Sequence, residues 1–113
     1  MEINSKVIDG VRIVYVSGNI ILEETNKARA YLKQIIENPT LKGLIINCKK
    51  VEYIDSSGLG LIVSIYKTLK KRNKQFALSA MSNKAMEIFV LTRLNEILII
   101  ADSDESALES FHI

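Results

Sequence analysis

Several residue types are scarce in this chain of 113 residues, and each scarcity removes a class of function. There is one cysteine, Cys48, so no internal disulfide can form. Its place in the apolar run Leu44-Ile45-Ile46-Asn47-Cys48 fits a buried thiol in a reducing cytosol. The one histidine, His112, sits at the end of the sequence, which leaves a serine nucleophile without a well-placed base and zinc without a Cys/His ligand set. Lysine does not replace it as base, since no Ser-x-x-Lys spacing starts at Ser56 or Ser57. Neither glycine cluster is followed by Lys-Ser or Lys-Thr, so a phosphate-binding P-loop is missing, and the carboxylates are too scattered to outline a metal site. Aromatic residues amount to 6% and the formal net charge to +2, which is too little stacking surface and too little charge for nucleic acid. Met1 to Lys6 are polar, unlike a secretory signal, and no apolar run approaches the roughly 20 residues of a membrane helix. The expectation is a cytoplasmic, soluble protein with no catalytic residues, no metal and no cofactor.

What is present is an ordinary globular composition, 48% apolar and 25% charged, enough for one domain over residues 1–113 with one hydrophobic core. Two short apolar stretches, Glu2 to Ile8 and Val11 to Ser17, flank Asp9-Gly10, a strong hairpin signal. From about Glu23 to Asn38 the spacing of Ala28, Tyr31, Leu32, Ile35 and Ile36 predicts an amphipathic helix, stopped before Pro39. Gly43 to Cys48 reads as a central strand buried on both faces. A helix from about Ser57 to Arg72, a strand from Gln75 to Ala80, a helix from Asn83 to Leu91, a strand from Ile97 to Ile100 and a helix from Ser103 to Phe111 follow. Strands alternating with helices after an opening hairpin predict an α/β fold: a mixed sheet of about five strands with about four helices.

One stretch departs from simple packing: Tyr53-Ile54-Asp55-Ser56-Ser57-Gly58-Leu59-Gly60. Asp55, Ser56 and Ser57 are all suited to capping the helix that follows. Two glycines in the first turn of a helix each cost roughly 0.5–1 kcal/mol relative to alanine. Either they allow tight packing of helix on sheet, or they allow another molecule to approach. At ~100° per residue, Leu59, Ile62, Val63, Tyr66 and Leu69 are expected to form the core face, with Leu61 and Ile65 projecting elsewhere. Ser56, Gly60, Ser64, Lys67 and Lys71 share one flank, small near the N-terminus and basic beyond it. The basic run Lys67 to Lys74 and the acids Asp102, Asp104, Glu105 and Glu109 read most simply as solvated helix faces.

Asp55-Ser56-Ser57-Gly58-Leu59-Gly60, after an apolar strand and before an amphipathic helix, resembles the signature of the anti-sigma factor antagonists of the STAS domain family. The similarity extends to the opening hairpin, to Ser17-Gly18-Asn19, to the strand Gly43 to Cys48 and to Leu78-Ser79-Ala80-Met81-Ser82. The resemblance implies a single STAS domain that captures a kinase-like anti-sigma factor when unphosphorylated. It implies a phosphoacceptor at Ser56, with a metal-dependent serine phosphatase reversing the modification; the expected partner surface takes in Asn19, Asp55, Ser57 and Gly58 around it and, from the helix flank, Gly60, Ser64 and Lys67. No direct contact with nucleic acid and no membrane insertion are implied. Ile21 departs from the pattern, because relatives involved in sporulation commonly carry an acid three residues past the loop glycine, here Gly18. The alternative role within the family is a STAS subunit of a transport system or signalling scaffold with a different partner.

Overall fold

The computed structural model describes residues 1–112. Its chain opens with the hairpin, β1 (Glu2–Ile8) and β2 (Val11–Ser17), paired antiparallel from Glu2↔Ser17 to Ile8↔Val11. Asp9 and Gly10 turn the chain with φ of 51° and 83°, the left-handed pair that a two-residue hairpin turn demands. Then come α1 (Leu22–Ile36), β3 (Gly43–Lys50), α2 (Ser56–Lys71), β4 (Gln75–Ser79), α3 (Asn83–Leu91), β5 (Ile99–Ala101) and α4 (Asp104–Ser110). The strands form one five-stranded sheet in the order β1-β2-β3-β4-β5, with every pair after the hairpin parallel. The mixed sheet and four helices are those expected from the sequence.

The strand order decides where the helices lie. Each parallel connection steps in the same direction across the sheet, and right-handed crossovers then place α1, α2 and α3 on the same face. There Leu32, Leu61, Ile62 and Phe89 pack on Val14, Leu44, Ile46 and Leu78. The alternate residues Val11, Ile13, Ile45 and Ala77 point to the other face, where Ala107 of α4 and the adjoining Phe111 cover them. β3 is buried on both sides from Leu44 to Ile46, which is why its sequence is a continuous apolar run. Cys48 is fully buried, and burial pushes its thiol up to about 12, so it stays protonated and inert. Among the described residues no helix is long and apolar enough to cross a membrane.

Three expectations are corrected. The core face of α2 consists of Gly58, Leu61, Ile62, Ile65 and Leu69, with Leu59, Val63 and Tyr66 only partly buried. The helix lies against α1, so its buried arc is rotated toward Leu61 and Ile65. The last strand begins at Ile99, because residues Leu94–Glu96 form a 3₁₀ turn entered through Arg93 at φ 61°, and the Ile97 amide bonds back to the Leu94 carbonyl. Asp104 is not a solvated acid. Its Oδ1 accepts from Asn47 Nδ2 at 3.0 Å and Ser79 Oγ at 2.6 Å, and its Oδ2 from Tyr15 OH at 3.1 Å. The first turn of α4 is thereby tied to β2, β3 and β4, and the hydroxyl of fully buried Ser79 is satisfied.

Candidate functional site

Two loops leave the carboxyl ends of β2 and β3 side by side, the place where open parallel sheets present their sites. They are stitched by backbone bonds from Gly18 N to Lys50 O (3.1 Å), Ile20 N to Tyr53 O (3.0 Å) and Asp55 N to Ile20 O (3.2 Å). Gly18 has φ of 108°, where a side chain would be strained. Ile20 and Ile54, both buried, form an isolated parallel bridge that anchors the pair of loops on the core.

Asp55 joins the two helices that start here. It is the N-cap of α2, and its Oδ1 accepts the Gly58 amide at 2.8 Å. Position 21 precedes α1 but carries isoleucine, which offers no capping oxygen. The amide of Leu22, first in α1, is instead taken by Asp55 Oδ2 at 3.0 Å. One carboxylate thus caps α2 from within and α1 from across the seam. The Gly58 amide bond, seconded by those of Leu22 and Ser57 and opposed by partial desolvation, holds the Asp55 carboxyl below its ordinary range.

This arrangement fixes the sign of a pH dependence. A carboxylate with a depressed folded-state pKa contributes stability that is present above its unfolded value of about 3.9 and lost as the pH falls through the lower folded value. Asp55→Ala should therefore lower the melting temperature at neutral pH, and the gap to wild type should close only below about pH 4. Parallel thermal melts across the acid range check this. A gap that stays constant down to full protonation would remove the charge from the argument.

The two glycines separate into two roles. A Cβ on Gly58 would fall on the Ile20 carbonyl oxygen and lie 2.8 Å from Ile20 Cγ2, so this residue is required by the seam. Gly58 is buried, and its expected place on the partner surface is corrected to packing beneath Ile20. At Gly60 an added Cβ would meet nothing within 4 Å beyond the helix's own backbone and its chain neighbours. Nothing in the fold asks for glycine there.

Ser56 is the first residue of α2, one position earlier than expected, and it is exposed. Gly60, Ser64 and Lys67 are exposed with it on the outer side of the helix, over a length of roughly 16 Å at 1.5 Å per residue. Ser57 is half-buried, and Asn19 is exposed in the neighbouring loop. The structure therefore brings together Asn19, Asp55, Ser56, Ser57 and Gly60 at the seam, with Ser64 and Lys67 about two and three turns beyond Ser56 along the same helix. Two exposed apolar residues flank the seam and escape the sequence reading: Leu22, 66% exposed, and Tyr53, 52% exposed. The signal for Leu22 was the triplet Ile20-Ile21-Leu22, of which the fold buries only Ile20 fully.

The chain belongs to the STAS domain family, whose pattern it matches over residues 2–107. It is 30% identical to an anti-sigma-B factor antagonist of Listeria monocytogenes over 88% of this chain and 86% of that protein. It is 24% identical to an anti-sigma F factor antagonist of Paenibacillus polymyxa, covering 92% of this chain and 89% of the relative. Its fold superposes with a TM-score of 0.74 on a Bacillus cell-fate determinant solved in a phosphorylated form, at 18% identity and with 96% and 97% of the two chains covered. At that identity the likeness is one of fold.

Proposed function

We propose that this protein is an anti-sigma factor antagonist: unphosphorylated, it captures a kinase-like anti-sigma factor and so frees a sigma factor, and phosphorylation of Ser56 switches capture off. The observation that carries the reading is Gly60. It is an exposed helical glycine with open space above it, four residues from an exposed serine at the helix N-terminus. Such a residue costs about 0.5–1 kcal/mol in the isolated domain, and its benefit is close approach by a second molecule. The relatives named for anti-sigma factors supply the kind of partner.

The helix N-terminus makes Ser56 a suitable acceptor. A phosphate there adds about −1.5 to −2 charge at the positive end of the helix dipole, where an anion is tolerated. The domain stays folded and the effect falls on the interface. A dianion beside Gly60 and Ser64 blocks the close approach those small residues permit, and it is costly to bury against partner acids. The chain itself turns nothing over; kinase and phosphatase activities belong to its partners, a kinase-like anti-sigma factor and a metal-dependent serine phosphatase. The reading places the protein in the cytoplasm with them.

Calorimetric titration of the purified protein into kinase-like anti-sigma factors from the same organism tests the proposal. A saturable one-to-one complex is expected, lost after the partner has phosphorylated the protein with ATP. Binding to none of them would favour a STAS subunit with a different partner.

A further inference from the structure

The groove between α1 and α2 is shaped by the fold but not filled by it. It has a volume of about 260 Å³, with Leu32, Leu61 and Ile65 among its floor residues. Arg29 and Lys33 of α1 and Arg72, directly after the end of α2, stand on its rim, and Glu37 is the one acid in the lining. The Arg72 guanidinium donates to the Ile36 carbonyl at 3.0 Å and so is held at one end of the groove. Arg29 and Lys33 are exposed, and among the described residues the one ion pair in the molecule is that of the Met1 ammonium with Glu24. Two cations therefore overhang the groove with no carboxylate of their own.

The floor itself offers little. Leu32, Leu61 and Ile65 are each at most 4% exposed, so a ligand entering here removes scant apolar surface from water. What the groove supplies is a shape with unpaired positive charge along it. Ser64 connects it to the outer side of α2, since the same residue lines the groove and follows Gly60 by one turn. A partner lying over Ser56 and Gly60 thus has the groove directly beside it.

We propose that the α1–α2 groove is a second contact surface for the kinase-like partner and takes an acidic segment of it, with Arg29, Lys33 and Arg72 as the cations that receive the segment's carboxylates. The inference rests on the proposed function and deepens it. Because the attraction is between exposed charges, it acts mainly on the rate of encounter and is weakened by salt. It also gives the chain a way to choose among related partners that all recognise the Ser56 end of α2. A partner lacking acids at this position meets the same small-residue surface without the electrostatic guide.

The test is the association rate with a partner that the wild-type protein binds, measured at low and moderate salt. Arg29→Glu/Lys33→Glu should slow association by about tenfold or more at low salt and flatten its salt dependence. Arg29→Lys/Lys33→Arg should restore the rate, and Lys84→Glu on α3 should leave it unchanged. If wild type binds and the double reversal binds at the same rate, the groove proposal falls while the antagonist reading stands. If wild type binds no kinase-like anti-sigma factor, both fall. If the reversal spares the protein partner but abolishes binding of a single-stranded oligonucleotide, the groove is a site for a different polyanion and the proposal is overturned.

Discussion

Gly58→Ala should destabilise the protein by about 2–3 kcal/mol, whereas Gly60→Ala, two residues away in the same helical turn, should stabilise it by about 0.5–1 kcal/mol. The opposite signs follow from what a methyl group would meet. At position 58 it collides with the Ile20 carbonyl oxygen and with Ile20 Cγ2 at 2.8 Å. That carbonyl is not free to yield, because it accepts the Asp55 amide at 3.2 Å. Moving it parts the bridge between Ile20 and Ile54 and pulls Leu22 from the Asp55 carboxylate. The overpacking cost exceeds the helix-propensity gain that alanine brings anywhere else. At position 60 the added methyl enters open space, so only the propensity gain remains. Urea denaturation of both variants reads the difference directly, with unchanged m values showing that the folded states are compared. A Gly58→Ala protein as stable as wild type would show that the seam between the two loops is soft.

The same pair shows where the sequence was legible. Both glycines stood out as costly in a first helical turn, but their two explanations could not be assigned, since Ile20 lies 38 positions from Gly58 along the chain. Local signals carried far: Asp9-Gly10, Asn38-Pro39, the continuous run from Leu44 and the capping type of Asp55 all produce the elements expected of them. Failures came where a residue answers to a distant one. α2 was oriented by its own periodicity, and its packing against α1 turns the buried arc toward Leu61 and Ile65. Asp104 looked like one more acid in a solvated tail until Tyr15, Asn47 and Ser79 converged on it from three strands. Ile21 departs from the pattern of relatives that carry an acid there, and the cap that α1 receives instead, from Asp55 across the seam, belongs to no local motif.

Ser56→Asp should abolish capture of the anti-sigma partner, lowering affinity by about a hundredfold or more, while Ser56→Ala binds within a few-fold of the unphosphorylated wild type. A hundredfold corresponds to about 2.7 kcal/mol, which one uncompensated charge buried at an interface readily supplies. Stability should hardly change in either variant, because Ser56 is exposed at the first position of α2, where the helix dipole favours negative charge. Steric bulk alone does not explain the effect, so Ser56→Asn, of nearly the same size, should lose far less affinity than the aspartate variant. Geometry also separates Ser56 from its neighbour. Ser57 is turned about 100° around the helix and is half-buried beside the seam, with its amide directed to the Asp55 carboxylate. A kinase active site reaches the exposed hydroxyl of Ser56 more readily than that of half-buried Ser57. Incubation with the partner kinase and ATP, followed by fragment mass spectrometry, should find phosphate on Ser56, and the Ser56→Ala protein should remain unmodified. Phosphate on Ser57 alone, or full capture by Ser56→Asp, would place the switch elsewhere on the domain.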